Sequence, residues 1–423
     1  MLLRPRCSRA GARPDACGRL NGERIVADLR RVLAIQALRA FLYGFASVLL
    51  GTTLASTDLS DAQVGLVFTA ILVGMALASA LVGVGAHRLG WRRSYVLLLL
   101  VMGCAGAVFA LTANPIALVV AALTGTLSTD PNESGPITSL EQGLIGQAPA
   151  ATRLRVFGRY NAIAYLAGAV GALTAGIPSL IRGVGADVPA DRWFLLVFPI
   201  VAVPCAILAA RLTDAVETQV AARRGSRSAL TTSRRTVVKL SVLFSMDSFA
   251  GGFVVQAFVV FWFGRRFDVS TDTMAVVFFV SGLLQAGSSI VAARVGKRFG
   301  LLNTMVFTHL PSNLLLILVP IAPALPVAIV VWWTRSVLSQ MDVPARQAYV
   351  AAMVRPEERV AAAAFTNTAR YVSRPVGPAL SGALMQAVSI GSPFFVAGSI
   401  KIVYDIAIYL SFRRVRLPDA TRP

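Results

Sequence analysis

The sequence predicts an all-α membrane protein of twelve transmembrane helices, arranged as two parallel six-helix halves. Three observations predict it. Apolar runs near the ~20 residues needed to cross a bilayer recur along the whole chain. Only 14% of the 423 residues are charged, against 56% hydrophobic, with a mean hydropathy of +0.69. The second half also repeats the first at a nearly constant spacing. No soluble domain of useful size remains once the apolar runs are marked.

The predicted spans are residues 32–56, 62–86, 94–113, 116–146, 158–181 and 192–211, then 236–263, 272–293, 301–322, 326–350, 359–387 and 392–412. All are expected to be helices, because lipid offers no partner to an exposed backbone N–H or C=O. Residues 1–31 form a basic tail without an apolar core of their own, so they are expected to be a disordered cytoplasmic tail and not a cleaved signal. Residues 212–235 are polar and basic and are expected to be a cytoplasmic linker between the halves 32–211 and 236–412. A second short tail follows at 413–423.

The net charge of +20 has a topological explanation. With both termini inside, about 30 Lys/Arg fall in cytoplasmic segments and only Arg182, Arg192, Arg265 and Arg266 outside, which fits the positive-inside rule in a plasma-membrane protein. No basic stripe carries interleaved aromatics, so nucleic acid is not an expected partner. Cys7, Cys17, Cys104 and Cys205 show neither a disulfide framework nor zinc spacing. There is no nucleophile–base motif and no Gly-x-x-x-x-Gly-Lys loop, and His87 and His309 are the two histidines. An enzyme, a metal or a cofactor is therefore not expected.

The repeat is carried by four matched stretches. Arg39, Phe41, Gly44 and Phe45 recur as Asp247, Phe249, Gly252 and Phe253, an offset of 208. Ser60 recurs as Ser270, and His87–Gly90 as Lys297–Gly300, at 210; Asn161, Gly171 and Gly176 recur as Asn367, Gly377 and Gly382 at 206. Both serines stand where a helix N-cap would help.

Charges inside the apolar runs are candidate functional groups, since an ionised side chain at membrane depth is costly without water or a partner. Arg39 and Asp247 occupy equivalent depth, and two readings follow: they pair across a central path in one state, or each is held by a fixed local bond. The run 116–146 is interrupted by Asp130, Pro131, Glu133, Pro136 and Glu141, which predicts a broken helix. Asp130 and Glu133 are candidate proton or cation sites. Run 326–350 carries Arg335, Asp342 and Arg346, and run 359–387 carries Arg370 and Arg374. Lys401 and Asp405 are expected to neutralise each other as an i,i+4 pair. Tyr43 and Gln256 complete the polar candidates. The in-span acids and bases balance, six against six, and the arginines tilt the reading toward an anionic or zwitterionic solute.

Six plus six spans in parallel halves resemble the major facilitator superfamily. The segment "GVGAHRLGWRR" is similar to that family's motif between its second and third helices, through Gly83, Arg88, Gly90 and Arg92, with His87 in place of the acid. The family's Gly-Pro core in helix 5 is absent at Gly171-Ala172 and stands instead at Gly377-Pro378. The resemblance implies a monomeric secondary transporter in which helices 1 and 7 line a cavity between the halves. It further implies alternating access for a small solute, coupled to protons, with export the favoured direction. A multidrug exporter and a non-transporting receptor or assembly partner are the alternatives.

Overall fold

The computed structural model describes residues 14–55, 59–112, 114–128, 130, 135–145, 150–183, 190–213, 232–355 and 358–415. Most of linker 212–235, the last eight residues and Glu133 lie outside them.

The chain forms α1 (Pro14–Ala55), α2 (Asp61–Leu89) and α3 (Trp91–Leu111), then α4 (Pro115–Leu123) and α5 (Gly135–Ile145). They are followed by α6 (Ala150–Thr174), α7 (Ile177–Gly183) and α8 (Val197–Ala210). The second half comprises α9 (Arg234–Gly252), α10 (Gln256–Phe267), α11 (Thr271–Phe299) and α12 (Leu301–Leu318). It continues as α13 (Leu325–Ser339), α14 (Asp342–Met353), α15 (Arg359–Ser373), α16 (Val376–Ala387) and α17 (Ser392–Phe412). Among the described residues, nine helical stretches are long and apolar enough to cross a membrane. The other three predicted spans are each found as two shorter helices, α4/α5, α13/α14 and α15/α16. The expectation of an unstructured tail to residue 31 is corrected, because α1 begins at Pro14.

The breaks are tolerated because neighbours take up the freed backbone groups. Tyr43 on α1 donates its hydroxyl to the Thr126 carbonyl between α4 and α5, at 2.6 Å. Ser381 on α16 donates to the Phe253 carbonyl between α9 and α10, at 3.0 Å. The predicted serine caps divide. Ser60 makes a full capping box with Gln63, whereas Ser270 has the same backbone conformation but shares its hydroxyl with Thr273.

Close helix crossings follow the repeat. A Cβ on Gly44 would stand 1.9 Å from the Gly168 carbonyl oxygen, where α1 crosses α6. Its counterpart Gly252 is pressed against Arg374 and Gly377, where the end of α9 meets α16. Between the halves, Gly65 on α2 meets Pro378 and Gly382 on α16, and Gly176 after α6 meets Asp272 and Ala275 on α11. These are equivalent crossings, since Ala62 and Gly65 map onto Asp272 and Ala275 at the offset of 210. Small residues let the backbones approach, which is how apolar helices gain contact where lipid competes for every side chain.

The inter-half crossings at Gly51, Gly65, Gly176 and Gly264 lie toward the end of the bundle where α1 finishes and α2 begins, while Gly282 on α11 meets Ala169 and Tyr165 on α6 farther along. The opposite end gathers the starts of α1 and α3 and the residues just after α8. There Asp28 accepts from the amide and hydroxyl of Thr213, and Arg92 donates to the Leu212 carbonyl.

Gly90 and Gly300, the last residues of the matched "HRLG" and "KRFG", have φ of 87° and 83° with extended ψ. Only glycine adopts this region at low cost, and it lets each helix pair reverse in a single residue. Gly90→Ala and Gly300→Ala should each destabilise the protein by about 1–3 kcal/mol. Both are expected to lower the thermal unfolding midpoint in detergent by similar amounts, because the two sites share one geometry.

Candidate functional site

A cavity of about 280 Å³ lies between the halves. Its deep end reaches Phe278 and Gln256, beneath the glycine crossings. Its lining continues to Gln347 and Asn367, which are exposed, at the end where the chain begins and finishes. The two halves contribute unequally. From the first come Asp130, Thr138, Asn161 and Tyr165; from the second come Asp247, Gln256, Gln285, His309, Arg335, Asp342, Arg346, Arg370, Arg374 and Lys401, among others.

Pairing organises the second-half wall. Lys401 on α17 donates to Asp247 Oδ1 at 2.6 Å, and Arg346 on α14 lies 3.3 Å from Asp247 Oδ2 and 3.2 Å from Asp342 Oδ2. His309 on α12 sits between two acids. Its Nδ1 is 2.8 Å from Asp405 Oδ1, and its Nε2 is 3.8 Å from Asp247 Oδ1. An ionised Asp405 can only accept, so the shared hydrogen is the imidazole's Nδ1–H. Asn313, one turn along α12, donates to the other Asp405 oxygen at 2.9 Å.

Contacts among the described residues also span the halves at the cavity. Arg374 lies 3.6 Å from Asp130 in the α4–α5 break, Tyr165 donates to Gln340 Oε1 at 2.7 Å, and Gln256 donates to Ser47 at 2.7 Å.

Arg39, Tyr43 and Glu141 belong elsewhere. Arg39 on α1 bonds Glu141 on α5 at 2.5 Å and also reaches Gln36; both members of the pair are fully buried. Tyr95 and Tyr160 each donate to Glu141 at 2.6 Å, and the guanidinium lies 5.5 Å from the Tyr43 ring centre. This cluster lies inside the first half and meets the cavity lining through Thr138, which hydrogen-bonds Tyr160. A carboxylate that accepts from two phenols and an arginine has its lone pairs filled, which is what makes the charges tolerable there.

Of the two readings of Arg39 and Asp247, this structure fits the second: they are not paired, and each has a partner within its own half, because α5 and α17 bring a nearer counter-charge. The expectation that Lys401 and Asp405 neutralise each other is corrected, since Asp405 turns to His309 and Asn313 and Lys401 to Asp247.

Asp130, Asp247, Gln256, Arg335, Asp342, Arg346, Arg370 and Arg374 do line the cavity. Glu133 lies outside the described residues, as do the side chains of Gly83, His87 and Arg88, whose backbone forms the last turns of α2. Asn161 and Asn367 were visible as a matched pair in the repeat, and the structure sets both on the cavity wall. Tyr165, Gln285 and Gln340 had no such signal, because a neutral polar residue in an apolar run is common.

Removing one partner of a buried ion pair strands the other and costs about 3–5 kcal/mol, whereas replacing both with apolar groups is often neutral. Glu141→Gln should therefore lower the thermal midpoint clearly, and Arg39→Met with Glu141→Leu should lower it less than either single change does. A double variant as unstable as the sum of the singles would assign the cluster a role beyond mutual neutralisation.

Comparison with known proteins places this geometry. The profile of the Major Facilitator Superfamily matches residues 32–339 and 249–423. A curated relative, the uncharacterised membrane protein YJR124C of Saccharomyces cerevisiae, is 24% identical over 427 residues, covering 91% of this chain and 94% of the yeast protein. Among solved structures, the nucleoside transporter NupG matches with a TM-score of 0.68 at 14% identity, over 91% of this chain and 99% of NupG. The inward-open xylose transporter XylE from E. coli matches with a TM-score of 0.69 at 13% identity, over 93% and 98%. At such identity these two show a shared fold. The match along both halves carries the conclusion that this chain is a member of the Major Facilitator Superfamily.

Proposed function

We propose that the chain is a monomeric secondary transporter that carries a small polar solute across the cytoplasmic membrane by alternating access, coupled to proton movement. The observation that carries this reading is the central cavity, shut at one end by paired glycine crossings and reaching exposed residues at the other. Repeat-related crossings at the closed end give the halves a symmetric surface on which to rock, as parallel repeats do around a midplane site. The cavity is complete within one chain, so no second copy is needed. The basic loops favour cytoplasmic termini, which makes this the inward-facing state, and export is the direction the family resemblance implies.

A multidrug exporter would be served by a large apolar chamber. Here the cavity is at or below the ~300 Å³ lower end of ordinary ligand pockets, and charged and amide side chains line it. That favours a small polar solute.

For the proton, His309 is the candidate. Histidine is the side chain whose ordinary titration falls near physiological pH. Its Nδ1 is engaged by Asp405, and its Nε2 faces Asp247, which also holds Lys401 and Arg346. A proton gained at Nε2 puts a third cation on Asp247 and loosens its hold on Lys401 or Arg346, which lie on different helices.

Alternating access is testable without knowing the solute. In a cysteine-free background, Asn161→Cys in oriented membrane vesicles should react with an impermeant maleimide applied from either face. A disulfide between Ser179→Cys and Asp272→Cys, whose native side chains are 3.0 Å apart, should confine labelling to the face where the chain begins. Labelling from one face alone in the unlocked protein would favour the receptor reading. The ratio of labelling from the two faces should shift between mildly acidic and mildly alkaline pH, and His309→Gln should flatten that shift. An undiminished shift in His309→Gln would move the proton to another group.

A further inference from the structure

We infer that the solute carries an anionic group, a carboxylate or a phosphate, and that Arg335 on α13 binds it. This inference rests on the transporter reading above and adds the substrate class.

Five bases line the cavity among the described residues, Arg335, Arg346, Arg370, Arg374 and Lys401, against the three acids Asp130, Asp247 and Asp342. Each acid lies within 4 Å of a base: Asp247 of Lys401, Asp342 of Arg346, and Asp130 of Arg374.

Arg335 stands apart from these pairs. Among the described residues it makes no hydrogen bond and no ion pair within 4 Å, and its buried Nε has no acceptor. Its guanidinium lies 4.9 Å from the Trp332 ring centre, a cation–π contact that uses none of its N–H donors. Asp342 and Asp247 act on it only from beyond 4 Å, and a guanidinium at membrane depth with no carboxylate in contact is costly. A carboxylate or phosphate meets the fork bidentately, with charge-assisted hydrogen bonds that a neutral solute cannot supply. The first-half wall offers Asn161 and Tyr165, neutral groups suited to the rest of such a solute.

The test is the thermal unfolding of the purified full chain with millimolar succinate, inorganic phosphate, glucose 6-phosphate, xylose, uridine or putrescine. At least one of the three anions should raise the wild-type midpoint. Succinate alone doing so would assign a carboxylate solute, and the phosphates alone a phosphate solute. Arg335→Gln should weaken the effective anion roughly tenfold or more, the loss expected for one charge-assisted contact. Arg335→Lys, which keeps the charge and loses the fork, should fall between and guards against a misfolded Arg335→Gln. Stabilisation by xylose, uridine or putrescine in place of the anions would overturn the inference. So would an anion effect that survives unchanged in both variants, or no effect from any anion. The access experiment keeps the two claims apart. Two-faced labelling with no anion response removes the anion and leaves the transporter, whereas one-faced labelling removes the transporter.

Discussion

A charge at membrane depth must find a counter-charge, and much of this molecule follows from how that requirement is met. Glu141 is spoken for by Arg39 and two tyrosines, so the first half can close over its ion pair and present a mostly neutral wall. Asp247 is shared among Lys401, Arg346 and His309, which ties α9, α12, α14 and α17 around one carboxylate. Asp130 is held by Arg374 from the opposite half. Once these acids are assigned, Arg335 is left on the cavity wall with no carboxylate among the described residues within 4 Å, which is the ground for the anion proposal.

The two halves are alike in backbone and unlike in chemistry. Gly90 and Gly300 turn the same corner, and Gly44 and Gly252 sit in the same crossing. Yet Arg39 and Asp247, at matched positions, have opposite charge and opposite fates. One is sealed in a protein interior, the other stands on the cavity wall. The repeat supplies two similar backbones, and divergence of a few polar residues gives them different walls.

Much of the architecture was legible in the sequence. Apolar runs marked the helices, Pro131 and Pro136 marked the break in 116–146, and matched glycines marked the crossings. Helix α1 was misjudged because Arg and Gly in residues 14–31 mask helical backbone that no apolar periodicity announces. Among the site residues, the charged ones on α13 to α16 were visible as charges in apolar runs. Their partners were not, because a salt bridge between distant helices leaves no spacing rule. The i,i+4 rule joined Lys401 to Asp405 on sequence distance alone, while His309 and Asn313 from α12 stood closer to Asp405 and Asp247 stood closer to Lys401.

The uneven wall separates two kinds of selectivity in time. If the halves rock as proposed, the cationic groups ride on one half and stand in place before any movement, so charge would be recognised on entry. The other half brings Asp130, Asn161, Thr138 and Tyr165, and these would tighten on the solute only as the halves rock. Entry would thus sort by charge and closure by shape. An ion of the right sign and the wrong outline would occupy the cavity without being carried, and would act as a competitive inhibitor rather than a substrate.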